Sequence, residues 1–226
     1  MNTIPKIIHQ TWKDEKLPPH FERISKTWQE YLPGWEYILW TDEMNRNFVA
    51  QYYPHYLKMY DSYPRNIQRA DAIRYLLLQT FGGLYVDVDF ECLENIEHLF
   101  EGAEFIAGKE PDRHAAKYHL PYIICNAFMA AQPDTPFINH LCDKLINYPS
   151  IIVNHPKDIL DSTGPFLLTN TYNKYADRSS IRIIEAEKIY PICQFEKDKI
   201  LNNTMPQEMI DRINKASAIH YFYGNW

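Results

Sequence analysis

Four cysteines, Cys92, Cys125, Cys142 and Cys193, stand scattered through 226 residues without a single C-x-x-C spacing. That absence argues against a structural zinc site or a disulfide framework and makes a reduced cytosol the default setting. Basic charge is also scarce, with 23 Lys and Arg against 29 Asp and Glu and a net charge of -6. A general nucleic-acid binder is thereby excluded, and an anionic substrate would need cations gathered locally. No apolar run approaches the roughly 18 residues that span a bilayer. The N-terminus also lacks the charged and apolar regions of a signal peptide, so the expectation is a cytoplasmic protein that at most visits a membrane. Internal repeats and long polar tracts are missing too. What remains is 46% hydrophobic and 15% aromatic, enough for a sizeable core in one domain over 1–226.

The stretch 69–91, RADAIRYLLLQTFGGLYVDVDFE, carries the most chemistry. Over 66–81 the residues Ile67, Ala70, Ile73, Leu76 and Leu77 recur at three- and four-residue intervals, which predicts a helix burying one face. Asp71, Arg74 and Tyr75 share a different face. Gly82-Gly83 ends the helix, because a left-handed exit is cheap only for glycine. Alternation then predicts a strand with Leu84, Val86, Val88 and Phe90 on one face and Tyr85, Asp87, Asp89 and Glu91 on the other. Carboxylates two apart on a strand lie roughly 7 Å from each other and repel by on the order of 2 kcal/mol. A cation belongs beside them, and oxygen ligands suit magnesium or manganese better than zinc. The bland alternative is an exposed edge strand whose acids face water.

Elsewhere the pattern predicts strands at 6–10, 35–40, 104–108, 123–131, 181–184 and 218–221. Helices are predicted at 19–31, from a Thr41-Asp42 cap to Tyr53, at 136–147 and at 166–175. The polar stretch 109–121 reads as a mobile loop. Strands alternating with helices give an α/β fold around a largely parallel sheet, whose ligands bind at the carboxyl ends of strands.

Three blocks make the chain resemble glycosyltransferase family 32. They are IPKIIHQTW at 4–12, the 69–91 stretch, and STGP at 162–165 together with HYFYGNW at 220–226. That family includes yeast-type initiating mannosyltransferases, bacterial capsule and lipopolysaccharide sugar transferases and, more distantly, the glucosylating domains of clostridial toxins. The resemblance implies a GT-A fold, a nucleotide-sugar donor, manganese or magnesium, and retention of anomeric configuration. It assigns catalytic roles to Asp71, Arg74 and Asp87, and the metal to Asp87, Asp89 and His220. Trp12 matches the base-stacking position, while Gln10, Thr11, Tyr85, Asn126, Gly164 and Trp226 are implied in donor binding. Asn225 departs from the usual serine.

On this reading the metal and Arg74 neutralise the departing diphosphate, and the acceptor hydroxyl attacks from the leaving-group face. A UDP-sugar is favoured over GDP-mannose, and the acceptor is a glycan or lipid-linked glycan of bacterial capsule or lipopolysaccharide synthesis, which allows peripheral membrane association. The segments 109–121 and 147–161 are the expected acceptor walls. Two rivals stay open. A haloacid-dehalogenase-type phosphatase also uses D-x-D, but with a small hydroxylated pair after it, where Phe90-Glu91 stands here. A non-catalytic metal- or sugar-binding module is the other, although a calcium loop from Asp87 would need glycine where Cys92 stands.

Overall fold

In a computed structural model, which describes residues 3–149 and 152–224, the chain begins β1 (Ile7–Thr11), α1 (Pro19–Tyr31), β2 (Glu36–Trp40), α2 (Asp42–Tyr52), α3 (Leu57–Ser62), α4 (Asn66–Phe81), β3 (Gly83–Val86) and β4 (Phe90–Cys92). It continues through β5 (Phe105–Lys109), α5 (Asp112–Lys117), β6 (Ile124–Ala131), α6 (Pro136–Ile146), α7 (Pro156–Ser162), α8 (Pro165–Lys174) and β7 (Ile181–Ile184). Three short helices, α9 (Ala186–Ile189), α10 (Lys197–Leu201) and α11 (Gln207–Ile213), precede β8 (Ala218–His220).

The central sheet has the order β2-β1-β3-β6-β5-β7. It is parallel except that β6 runs against both β3 and β5. Strands β3, β5 and β6 are largely apolar on both faces, as a sheet covered on two sides requires. Tyr85, Phe105 and Met129 face the helices α4, α6 and α8, while Leu84, Val86, Ile106 and Phe128 face Trp28 of α1 and Phe90 of β4. A second sheet pairs β4 with β8 in antiparallel register, Phe90 opposite His220.

Helix α4 has the predicted limits but not the predicted exposure. Sheet strands cover one side of it and α6 and α7 the other, so Gln68, Asp71, Arg74 and Tyr75 are buried along with the leucines. Its exit confirms the glycine reading. Gly82 and Gly83 have φ of 65° and 95°, and a Cβ on Gly83 would lie 2.5 Å from the Ile7 carbonyl. Only a bare backbone brings β3 this close to β1.

Three expectations need correction. The strand predicted through Glu91 breaks after Val86 and resumes at Phe90, with residues 87–89 forming a turn. The V-D-V-D-F alternation satisfies a strand pattern, but the turn is set by tertiary contacts that periodicity does not register. The stretch 109–121, expected as a loop, contains α5, and 147–161 holds all but the last residue of α7. Helices this short, like α3 and α9–α11, fall below the window in which a helical period is visible.

Close approach at the glycines also fixes His9. Its Nε2–H donates to the Gly82 carbonyl at 2.9 Å, and its Nδ1 accepts from Trp40 Nε1–H at 3.1 Å. Both nitrogens are satisfied only in the neutral ring. Burial pushes His9 down to about 4, with the Gly82 carbonyl opposing in part. An unfolded histidine titrates near 6.5, so between those values the unfolded chain binds more protons and stability rises with pH. The contribution is fully present above about pH 6.5 and is lost as pH falls toward 4, on the order of 3 kcal/mol in all. Urea unfolding at pH 7.5 and pH 4.5 should show a larger loss for the native chain than for His9→Gln, and equal losses would exclude His9 as the cause.

Candidate active site

The turn at residues 87–89 is pinned from several directions. The Phe90 amide donates to the Asp87 carbonyl at 3.0 Å, the Gln10 side-chain amide donates to the same oxygen at 3.1 Å, and the Asp87 amide donates to Ala127 O at 3.0 Å. Val88 is buried with Trp12, Phe21 and Ile24, which anchors the turn and leaves both neighbouring carboxylates to the other side. Asp89 is then held by the far end of the chain. Its Oδ2 accepts the Tyr223 amide at 2.9 Å, and its Oδ1 meets His220 Nε2 at 3.1 Å. The His220 ring stacks on Phe90 with an interplanar angle of 9°. Asp87, Asp89 and His220 thus bring one ligand atom each within 4.8 Å of one another.

Behind this cluster lies Arg74. Its Nη2 is 3.1 Å from Asp87 Oδ1, its Nη1 is 3.4 Å from Asp71 Oδ1, and Nη1 also donates to the Asn126 carbonyl at 3.2 Å. The guanidinium sits over the Tyr85 ring at 5.1 Å, and Tyr85 O–H donates to Asp87 Oδ1 at 2.9 Å. Asp71 in turn accepts from Asn126 Nδ2 at 3.0 Å and from Thr163 Oγ1 at 3.3 Å. Gly164 completes this corner. A Cβ there would lie 3.4 Å from Asp71 Oδ2, and its carbonyl accepts from Tyr75 O–H.

Electrostatics follow from burial. Asp87 is pushed up to about 6 by desolvation, which Arg74 counters only in part while Asp89 adds to it. Burial also raises Asp71, against the pull of Arg74. Burial works the same way on Asp89, but His220 and the Tyr223 amide outweigh it and hold the carboxyl below its ordinary range. His220 shows the reciprocal effect: burial opposes its charge, and Asp89 raises it nonetheless. Three buried carboxylates therefore face Arg74 and one histidine.

A divalent cation fits this donor set. His220 Nδ1 is a buried nitrogen without a hydrogen-bond partner among the described residues, and two carboxylates with an imidazole make a donor set for a divalent cation.

Asp71, Arg74, Asp87, Asn126 and His220 line one cleft of about 230 Å³. Gln10 supports the Asp87 backbone from below it. Thr11 faces away, donating to Trp40 O and accepting from Asn45, and Trp12 packs edge-on against Phe21. Trp226 and Asn225 lie outside the described residues. The same cleft is lined by two residues the sequence reading missed, Glu110 and His114. Their i,i+4 spacing was the available signal.

Comparison with known proteins agrees with this geometry. Residues 18–106 match the family described as a glycosyltransferase sugar-binding region containing a DXD motif. Inositol phosphoceramide mannosyltransferase 2 of Schizosaccharomyces pombe is 35% identical over 76% of this chain and 47% of its own length. The mannosyl phosphorylinositol ceramide synthase of Saccharomyces cerevisiae is 34% identical over 76% of this chain and 42% of its own. The chain therefore spans about half the length of the curated relatives it matches. Among solved structures, the ligand-free glycosyltransferase domain of the YGT toxin superposes with a TM-score of 0.59 at 12% identity, covering 95% of this chain and 91% of that one. With its D-x-D turn at the edge of a mostly parallel α/β sheet, the chain belongs to the D-x-D glycosyltransferases of family 32, on the GT-A fold.

Proposed function

We propose that the chain is a metal-dependent retaining hexosyltransferase, one GT-A domain that moves a sugar from a nucleotide donor to a ring hydroxyl of a glycolipid. The observation that carries this reading is the buried Arg74–Asp87 contact of 3.1 Å beside the Asp87, Asp89 and His220 cluster, with Arg74, Asp87 and His220 lining one cleft. Mannosyl relatives favour GDP-mannose over a UDP-sugar, and an inositol-containing headgroup over a capsular or lipopolysaccharide glycan. A lipid-linked acceptor would bring the domain to a membrane surface, although no helix of the described residues is long and apolar enough to cross one.

Asp87, Asp89 and His220 would hold manganese or magnesium, which when bound supplies positive charge against the diphosphate. Arg74 offers a planar fork toward the leaving phosphate, where negative charge develops as the glycosidic bond breaks. Asp71 and Asn126, locked to each other, are placed to accept and donate hydrogen bonds to sugar hydroxyls. In front-face attack the bond from the anomeric carbon to the phosphate oxygen breaks with its electron pair leaving on phosphate. The acceptor oxygen bonds to that carbon, and its proton passes to the departing phosphate oxygen. No protein nucleophile is needed. Trp12, packed beside Val88, is proposed to border the base.

Calorimetry with GDP-mannose and UDP-sugars, with manganese and after chelation, tests the reading. One nucleotide sugar should bind only with metal, and Asp89→Ala should abolish that dependence; unchanged affinity in the variant would remove Asp89 from the metal site. Arg74 is the counter-ion of two buried carboxylates, so Arg74→Ala should cost about 3–5 kcal/mol of stability as well as activity. Arg74→Lys keeps the charge and loses the fork, and kcat should fall roughly a hundredfold while the protein stays folded. Normal turnover in that variant would assign Arg74 to structure alone.

A further inference from the structure

Glu110, a carboxylate that the transfer mechanism does not use, lines the same cleft as Arg74, Asp87 and His220 and is close enough to add to the field that raises His220. Glu110 follows β5, where its backbone amide donates to Ile123 O at 2.9 Å, and its side chain is 12% exposed. His114, one turn into the next helix and buried, is fixed at both nitrogens. Nε2 accepts the Gln194 backbone N–H at 2.9 Å, so the proton resides on Nδ1, which donates to Glu110 Oε2 at 2.8 Å. Phe195 and Phe222 stand edge-on to the imidazole, with ring centroids at 5.8 and 4.9 Å, and both also line the cleft. A carboxylate that holds His114 and also meets the Cys125 thiol keeps acceptor capacity for further hydrogen bonds.

A carboxylate repels a diphosphate, so the donor's phosphates belong against Arg74 and the cluster and not against Glu110. Neutral hydroxyl donors are what a carboxylate set among aromatic rings attracts. We propose that Glu110 binds the acceptor ring through its hydroxyls, that the aromatic wall packs on the ring's apolar edges, and that His114 is a positioning residue acting through Glu110. The ligand class is a ring polyol, either a cyclitol headgroup or a hexopyranoside. This inference rests on the transferase reading above.

Initial rates measured against inositol phosphoceramide in detergent micelles, and separately against methyl α-mannoside, distinguish the two sources. Glu110→Gln should raise the acceptor KM at least tenfold and leave the nucleotide-sugar KM within twofold. His114→Asn, whose amide can replace Nδ1–H toward Glu110, should keep the acceptor KM near the native value. His114→Gln, whose amide oxygen can replace Nε2 toward Gln194 but which gives up the bond to Glu110, should raise it. An acceptor KM indifferent to Glu110→Gln, equal rises in both KM values, or identical behaviour of the two His114 variants would overturn the subsite while transfer by the native chain still stands. No turnover by the native chain with either acceptor, with no metal-dependent donor binding, would overturn the transferase reading and the subsite with it.

Discussion

A guanidinium buried in the middle of a helix governs the rest of this molecule. Arg74 is 2% exposed, and placing its charge there is tolerable only because Asp71 and Asp87 reach it from two elements that are otherwise separate. Asp71 comes from the same helix one turn earlier, so its position follows from helical geometry. Asp87 comes from a turn after β3, and that turn must stay fixed for the ion pair to persist. The restraints on it are consequences: Gln10 from β1, Ala127 from β6, and Val88 sunk into an aromatic cluster. The same geometry that satisfies the arginine thus aims the second carboxylate at His220.

Much of this was legible in the sequence, for local reasons. The limits of α4 and its glycine exit follow from period and from the φ angles that only glycine adopts freely. The D-x-D was read from strand alternation and the repulsion of its carboxylates, whereas its histidine was found by resemblance, because residues 89 and 220 are joined by no local rule. What the sequence concealed lies where two rules conflict. Residues 84–91 alternate as a strand does, yet β4 turns away to pair with β8, so the acids converge and do not stand in a row. Asp71, Arg74 and Tyr75 read only as a face apart from the apolar one, whereas helices from later in the chain cover them too. Glu110 and His114 sit in a polar stretch whose six-residue helix is too short to show a period.

Charge within the cleft is uneven, since Arg74, His220, Asp87 and Glu110 all line it. Asp89 is held well ionised by His220, while burial leaves Asp87 near the middle of its titration at mildly acidic pH. Two chemically identical side chains two residues apart thereby acquire different protonation behaviour.

The pairing of β4 with β8 also bears on how the protein is made. Asp89 is separated from its partners His220 and Tyr223 by 131 and 134 residues, and contacts so distant in sequence are slow to close. During synthesis, a chain extended only as far as α11 would already carry both aspartates, yet with neither the histidine nor the strand that holds Asp89 in place. The ligand atoms of Asp87, Asp89 and His220 could therefore gather only once β8, whose His220 stands 131 residues after Asp89, has been made.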